Sequence, residues 1–261
     1  MLNQIKIDLL RMRKSKLTYT IIICQFLITF IILAFNIGEN DESIVWEVRS
    51  AEYICLSSLL PIVTLISIMS AFISLKLSIL EKKDGLLRNK VIIGTGRCGI
   101  FCSKVIVNYL FCVILLVIHM ATVIITCAVY YKGRLPDAAT ISRFTVLCLL
   151  WLMFFSVLMA VIGLCLSSNF ISIIFSFVIV MILPSLPESL EARIELPQYQ
   201  GTLALGIMKF AMRIIPNTYF TCEPYPEKIA EMFVSGIVPA LAMTTIFLVL
   251  GCLVFRRKDF N

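Results

Sequence analysis

A single histidine, His119, occurs in the 261 residues, charged side chains make up only 15% of them, and the long apolar runs hold no Asp or Glu in their interiors. Each shortage excludes something. One histidine cannot build the two-His HExxH metalloprotease pattern, and it leaves no histidine pair for metal or phosphoryl chemistry. Without a carboxylate at membrane depth, the usual proton or cation relay of an ion-coupled carrier is missing. Soluble domains average about 25% charged residues, so this composition is not that of a soluble globular domain. The apolar runs also lack two-residue alternation, which rules out a membrane β-barrel.

Nucleotide chemistry is missing as well. Gly94-Thr95-Gly96-Arg97-Cys98-Gly99 spells GxGxxG, but that pattern works only between a strand and a helix of a βαβ unit, and here an apolar run begins a few residues later. Ile100 stands where a P-loop needs Lys. Ten cysteines are present, yet seven lie in or at the edge of apolar runs (24, 55, 112, 127, 148, 165 and 252), where thiols act as small packing groups. Only Cys222 is expected outside, so no disulfide framework is implied. Cys98 and Cys102 have no neighbouring His or second Cys pair, which speaks against a zinc site.

What the chain does have is hydrophobic length: 60% of its residues are hydrophobic. A bilayer core of about 30 Å needs roughly 20 apolar residues per helix. Six segments meet or approach that length, at 17–35, 53–79, 105–131, 144–166, 170–187 and 233–255. Backbone groups in lipid must be satisfied internally, so these predict an all-α integral membrane protein with six transmembrane helices. The run from Leu17 is longer than a signal-peptide core and no small-x-small site follows it, so it is expected to be retained as a span.

Orientation follows from Lys and Arg, which stay on the cytoplasmic side of span ends. With both termini inside, the inner segments (1–16, Lys76 with 81–104, and 256–261) hold fifteen Lys/Arg against four acids, and the outer segments eight against twelve. The formal net charge of +7 is then a topology signal, and nucleic acid is not an expected partner. In residues 1–16, Leu2, Ile5, Leu9 and Met12 fall at helical spacing beside five basic residues, which predicts an amphipathic helix lying in the inner interface. A tight inner hairpin at Ser167-Ser168-Asn169 joins the fourth and fifth spans. The outer segment 188–232 contains GTLALGIMKFAMRIIPNTYF, too polar to span. With Lys209 and Arg213 four apart, it suits an interfacial or re-entrant helix ended near Pro216.

Polar side chains at membrane depth mark candidate sites. Gln25, Asn108 and His119 either line a substrate pathway or hydrogen-bond neighbouring helices. The stretch WLMFFSVLM at 151–159 either borders a cleft for an amphipathic molecule or packs as core or lipid-facing surface. The largest inner loop is 81–104, EKKDGLLRNKVIIGTGRCGIFCSK, too short for a catalytic domain and suited to docking another subunit.

Three separated motifs resemble the type-2 ABC-transporter permeases. Asp8-Leu9-Leu10-Arg11-Met12-Arg13-Lys14-Ser15 is similar to their acidic-leucine-basic N-terminal helix. Glu81, Gly85 and Lys104 resemble the E-x-x-x-G segment and closing lysine that bracket the family's cytoplasmic coupling helix, and Phe255-Arg256-Arg257-Lys258-Asp259-Phe260 resembles its basic tail. The likeness covers the whole length. It departs at Gly94-Thr95-Gly96, where the family commonly has a proline-containing stretch.

The resemblance implies a permease subunit in a bacterial plasma membrane. It would bind separate ABC ATPase subunits, pair with a second copy or a sister permease, and hold no cofactor itself, with ATP and Mg on the ATPase. Export of, or immunity to, peptide antibiotics such as lantibiotics is the implied task, with lipid, drug or sodium export as alternatives. A membrane scaffold or sensor subunit is the rival class. ATPase coupling is expected at Glu81, Gly85, Leu86, Leu87, Arg88, Lys90, Val91 and Ile92, with Leu86, Leu87, Val91 and Ile92 as the apolar grip. Gly94 to Gly99 would then be a hinge into the third span.

Overall fold

The computed structural model describes residues 2–38, 51–59, 62–130, 135–165, 201–214 and 226–257, with isolated positions between 171 and 196. Among these residues the chain is helical and forms no strand. The elements are α1 (Leu2–Lys14), α2 (Lys16–Gly38), α3 (Ala51–Leu59), α4 (Ile62–Lys83), α5 (Leu86–Ile92), α6 (Arg97–Tyr130), α7 (Ala138–Cys165), α8 (Leu203–Ile214) and α9 (Pro226–Arg257).

Five stretches are long and apolar enough to cross a membrane: Lys16–Ala34, Cys55–Lys83, Arg97–Val129, Ala138–Leu164 and Ile229–Arg257. The chain is therefore a multi-pass membrane protein. These stretches correspond to five of the six expected spans. The remaining one, 170–187, and the hairpin 167–169 before it fall largely outside the described residues, although the described positions from Ile171 to Ile182 are helical. At 1.5 Å per residue, the 34 residues of α6 extend about 50 Å, well beyond the hydrocarbon core. The helix starts at Arg97 and not near 105, two turns before the expected apolar run begins.

α7 lies at the centre, packed against α9, α4 and α6. Its 151–159 stretch is interior: Trp151, Leu152, Phe154, Phe155, Leu158 and Met159 are all buried. Trp151 meets Phe154 edge-on at 5.8 Å, and Phe154 meets Phe247 of α9 at 5.5 Å. Such T-shaped contacts add to the area that aromatic rings bury, and this stripe is core packing. By contrast α2 and α9 leave apolar faces open, with Phe26, Phe30, Val234 and Val238 among the exposed side chains.

Hydroxyl groups fit into these helices by donating to their own backbone. Ser67 reaches the Val63 carbonyl at 2.6 Å, Ser156 that of Leu152 at 2.8 Å, and Thr244 that of Ala240 at 2.7 Å. This back-bonding satisfies a polar group where no water is present.

Glycine permits close approach at one contact in particular. A Cβ on Gly251 of α9 would lie 2.5 Å from Phe101 Cζ and 2.7 Å from Val161 Cγ2. Phe101 is fully buried and cannot swing away cheaply. Small residues at helix interfaces let backbones approach in this way. Gly251→Ala is expected to cost about 1–3 kcal/mol through overpacking, read as a lowered unfolding midpoint in detergent.

α8 is the helix expected in the outer segment; it is amphipathic and ends before Pro216. It packs against α9.

Candidate functional site

The 81–104 segment folds as a short helix held between two left-handed glycines. α4 ends where Gly85 takes φ 65°, a region open to Gly at no steric cost, and the Gly85 N–H donates to the Lys82 carbonyl at 3.2 Å. α5 follows for two turns. It closes with Gly94 at φ 88°, the Gly94 N–H on the Val91 carbonyl and the Thr95 N–H on the Lys90 carbonyl, both at 3.0 Å. That pairing is a Schellman motif. The expected hinge is correspondingly shorter than 94–99: α6 has begun by Arg97, and Gly99 lies inside its first turn.

Below α5 five charges from four helices form one buried knot. Glu81 Oε1 accepts from Lys104 Nζ at 2.6 Å, Arg11 Nη1 at 2.8 Å and Lys90 Nζ at 3.1 Å. Asp8 pairs through Oδ2 with Lys104 at 3.1 Å and through Oδ1 with Lys90 at 3.4 Å. Glu81 is 3% and Asp8 1% exposed, a depth at which charges are retained only when paired and hydrogen-bonded. The knot fastens α1, α4, α5 and α6 together.

Asp8 can reach this position because α1 docks through a face that carries Gln4 and Asp8 beside Met12. Gln4, Asp8 and Met12, spaced four apart, are its buried residues, while Leu2, Ile7 and Leu10 are exposed. α1 is thus amphipathic as expected: of its apolar stripe Met12 is buried, Ile5 and Leu9 pack half-buried against the core and Leu2 is exposed, while its acidic residue faces in.

A second anchor is apolar. Leu87, 1% exposed, belongs to a cluster with Ile100, Phe101, Val105, Val157 and Phe255, with Val91 packed partly against it. Phe101 and Phe255 lie 6.3 Å apart. Arg97 Nη1 donates to the Arg256 carbonyl at 2.7 Å, tying the end of α9 to the same region. No protein-family profile and no curated protein matches this chain.

The expected coupling residues therefore divide by position. Glu81 and Leu87 are interior, on faces of α4 and α5 that pack on the bundle. Lys90 is turned into the knot. Gly85, Leu86 and Val91 are half-buried, while Arg88 and Ile92 face outward. With Ile92 at 70% exposure stands Ile93 at 83%, a residue that the sequence reading did not select. The signal was available: Leu87 and Val91 share one face at i, i+4, which turns the next two aliphatic residues away from it.

The three polar residues considered for a pathway are not brought to one site. His119 is buried and bridges helices: its Nε2 lies 3.1 Å from the Ser58 carbonyl, and its Nδ1 lies 2.9 Å from the Thr29 hydroxyl and 3.3 Å from Gln25 Nε2. A carbonyl only accepts, so the ring proton sits on Nε2 and Nδ1 is the acceptor. Asn108 is buried elsewhere, beside Lys104, Ser74 and Met12, with neither side-chain polar atom hydrogen-bonded.

Proposed function

We propose that this chain is the membrane-spanning permease subunit of an ABC transporter, and that a separate cytoplasmic ATPase docks on the outward face of α5. The observation that carries this reading is the division of α5 into an anchored face and a free one. Leu87 and Lys90 tie it to the rest of the bundle, while Arg88, Ile92 and Ile93 project with an apolar pair and a cation available for a partner. A subunit can shift a conformational equilibrium only through differential contact with its two states, and a displaced handle transmits force only if it is fixed to what must move. The buried knot supplies that fixation.

Asp8 stands in one motif of the permease resemblance and Glu81 and Lys104 in another, and their meeting supports the reading further. Under it the knot end is cytoplasmic and both termini lie inside, with six spans in all. The exposed faces of α2 and α9 would meet lipid and a second permease copy or sister chain, in a bacterial plasma membrane. An amphipathic peptide antibiotic is the proposed cargo, expelled from the membrane with ATP and Mg handled on the ATPase.

The test is co-purification from native membranes followed by identification of bound proteins. Wild type is expected to retain an ABC ATPase, and Ile92→Glu/Ile93→Glu to lose at least tenfold of it while remaining monodisperse and inserted, as truncated apolar anchors typically cost 2 kcal/mol or more at an interface. A wild-type preparation that carries a histidine kinase and no ATPase would instead favour a sensor subunit.

A further inference from the structure

Beside the knot, where α1 turns into α2, a cavity of about 640 Å³ opens between that corner, α4 and the start of α5. Its size falls within the range that holds small ligands, about 300–1,000 Å³. The corner is firmly built: the Thr18 hydroxyl donates to the Met12 carbonyl at 2.7 Å, and the Ser15 N–H donates to the same carbonyl at 3.1 Å.

The lining has two chemistries. Lys14, Lys16 and Lys76 converge on it, all exposed, and none has an ion pair among the described residues. Of the two carboxylates in the wall, Glu81 is committed to Arg11, Lys90 and Lys104, which leaves the exposed Asp84 against three lysines. The other wall is aliphatic, formed by Leu17, Ile73, Leu77 and Leu80, and Leu80 is 43% exposed. Three like charges gathered over an apolar wall at the end of a membrane helix repel one another unless an anion joins them.

We propose that this cavity binds an anionic phospholipid, its phosphodiester between Lys14, Lys16 and Lys76 and one acyl chain along Leu17, Leu77 and Leu80. Lysine supplies point charges for the headgroup, and the aliphatic wall distinguishes a lipid from a free anion. Basic pockets between membrane helices hold anionic headgroups by this combination. The site does not depend on the transporter reading.

The test uses the full chain in mixed micelles titrated with dioleoyl phosphatidylglycerol, dioleoyl phosphatidylcholine or inorganic phosphate, with retained lipid counted by native mass spectrometry. Wild type is expected to bind phosphatidylglycerol at least tenfold more tightly than phosphatidylcholine. Each lysine removed should cost about fivefold, and Lys14→Gln/Lys16→Gln/Lys76→Gln on the order of a hundredfold, whereas Lys14→Arg/Lys16→Arg/Lys76→Arg should retain binding. An equal loss in Lys6→Gln/Arg13→Gln, whose side chains lie outside the cavity, would mean diffuse surface attraction and overturn the site. Equal affinity for the two lipids would overturn it too, as would inorganic phosphate displacing the lipid at millimolar concentration.

Discussion

Glu81→Gln is expected to loosen the whole charged end of the bundle, at a cost of about 3–5 kcal/mol, the usual range when one partner of a buried ion pair is removed. The variant leaves Asp8 as the single carboxylate facing Lys104, Lys90 and Arg11, and it turns an amide toward donors that a carboxylate oxygen now receives. Arg11 contributes least, because its side chain is 37% exposed and exposed pairs are screened by solvent. The loss falls mainly on Lys104, at 2.6 Å and almost wholly buried. Two measurements check it: the unfolding midpoint in detergent should fall, and trypsin should cut faster at Arg88 and Lys90 as α5 detaches. Glu81→Leu/Lys104→Met removes both charges and should recover more than 1 kcal/mol relative to Glu81→Leu alone, a coupling typical of residues in one network. An unchanged midpoint and cleavage rate in Glu81→Gln would show that the knot does not hold the helix.

His119→Leu is expected to cost about 2 kcal/mol, and His119→Gln distinctly less because it keeps a donor and an acceptor. Hydrogen bonds between membrane helices average only about 0.6 kcal/mol, since the unfolded chain in lipid finds other partners. Here the loss is larger because one ring serves three helices. Its removal takes away the bond that Gln25 Nε2 makes, and Gln25 Oε1 is already without a hydrogen bond. A buried polar group left unsatisfied costs about 1–3 kcal/mol. The Thr29 hydroxyl can retreat to the Gln25 backbone carbonyl at 2.8 Å, so it adds little. Thermal unfolding of the two variants in the same detergent gives the comparison. A large loss of function at unchanged stability would place His119 in a pathway instead of an interhelical clasp.

Much of the fold was legible because lipid imposes so strict a requirement on the backbone. Long apolar runs such as Val105–Ala128 have one stable form in a bilayer, and five of the expected spans correspond to helices in the structure. α8 was legible from Lys209 and Arg213 standing four apart among apolar residues and from Pro216. The start of α6 was not, because Arg97 and Lys104 resemble loop residues until Lys104 is seen to be neutralised by Glu81 and Asp8. The burial of Leu87 was not legible for a related reason: an aliphatic residue in a polar loop can face a partner or the chain's own core, and only packing decides.

The sequence by itself determined an all-helical, multi-pass membrane protein that carries its basic residues in a few short segments. Hydropathy is a local property, summed over some twenty neighbouring residues, and it needs no knowledge of what lies across the bundle. Only the tertiary structure decided that Asp8, Glu81, Lys90 and Lys104 form one knot, since Lys90 and Asp8 are 82 residues apart and Lys104 and Glu81 are 23 apart. Pairing across such distances depends on how α1, α4, α5 and α6 pack, and packing also turned the free face of α5 toward Ile92 and Ile93.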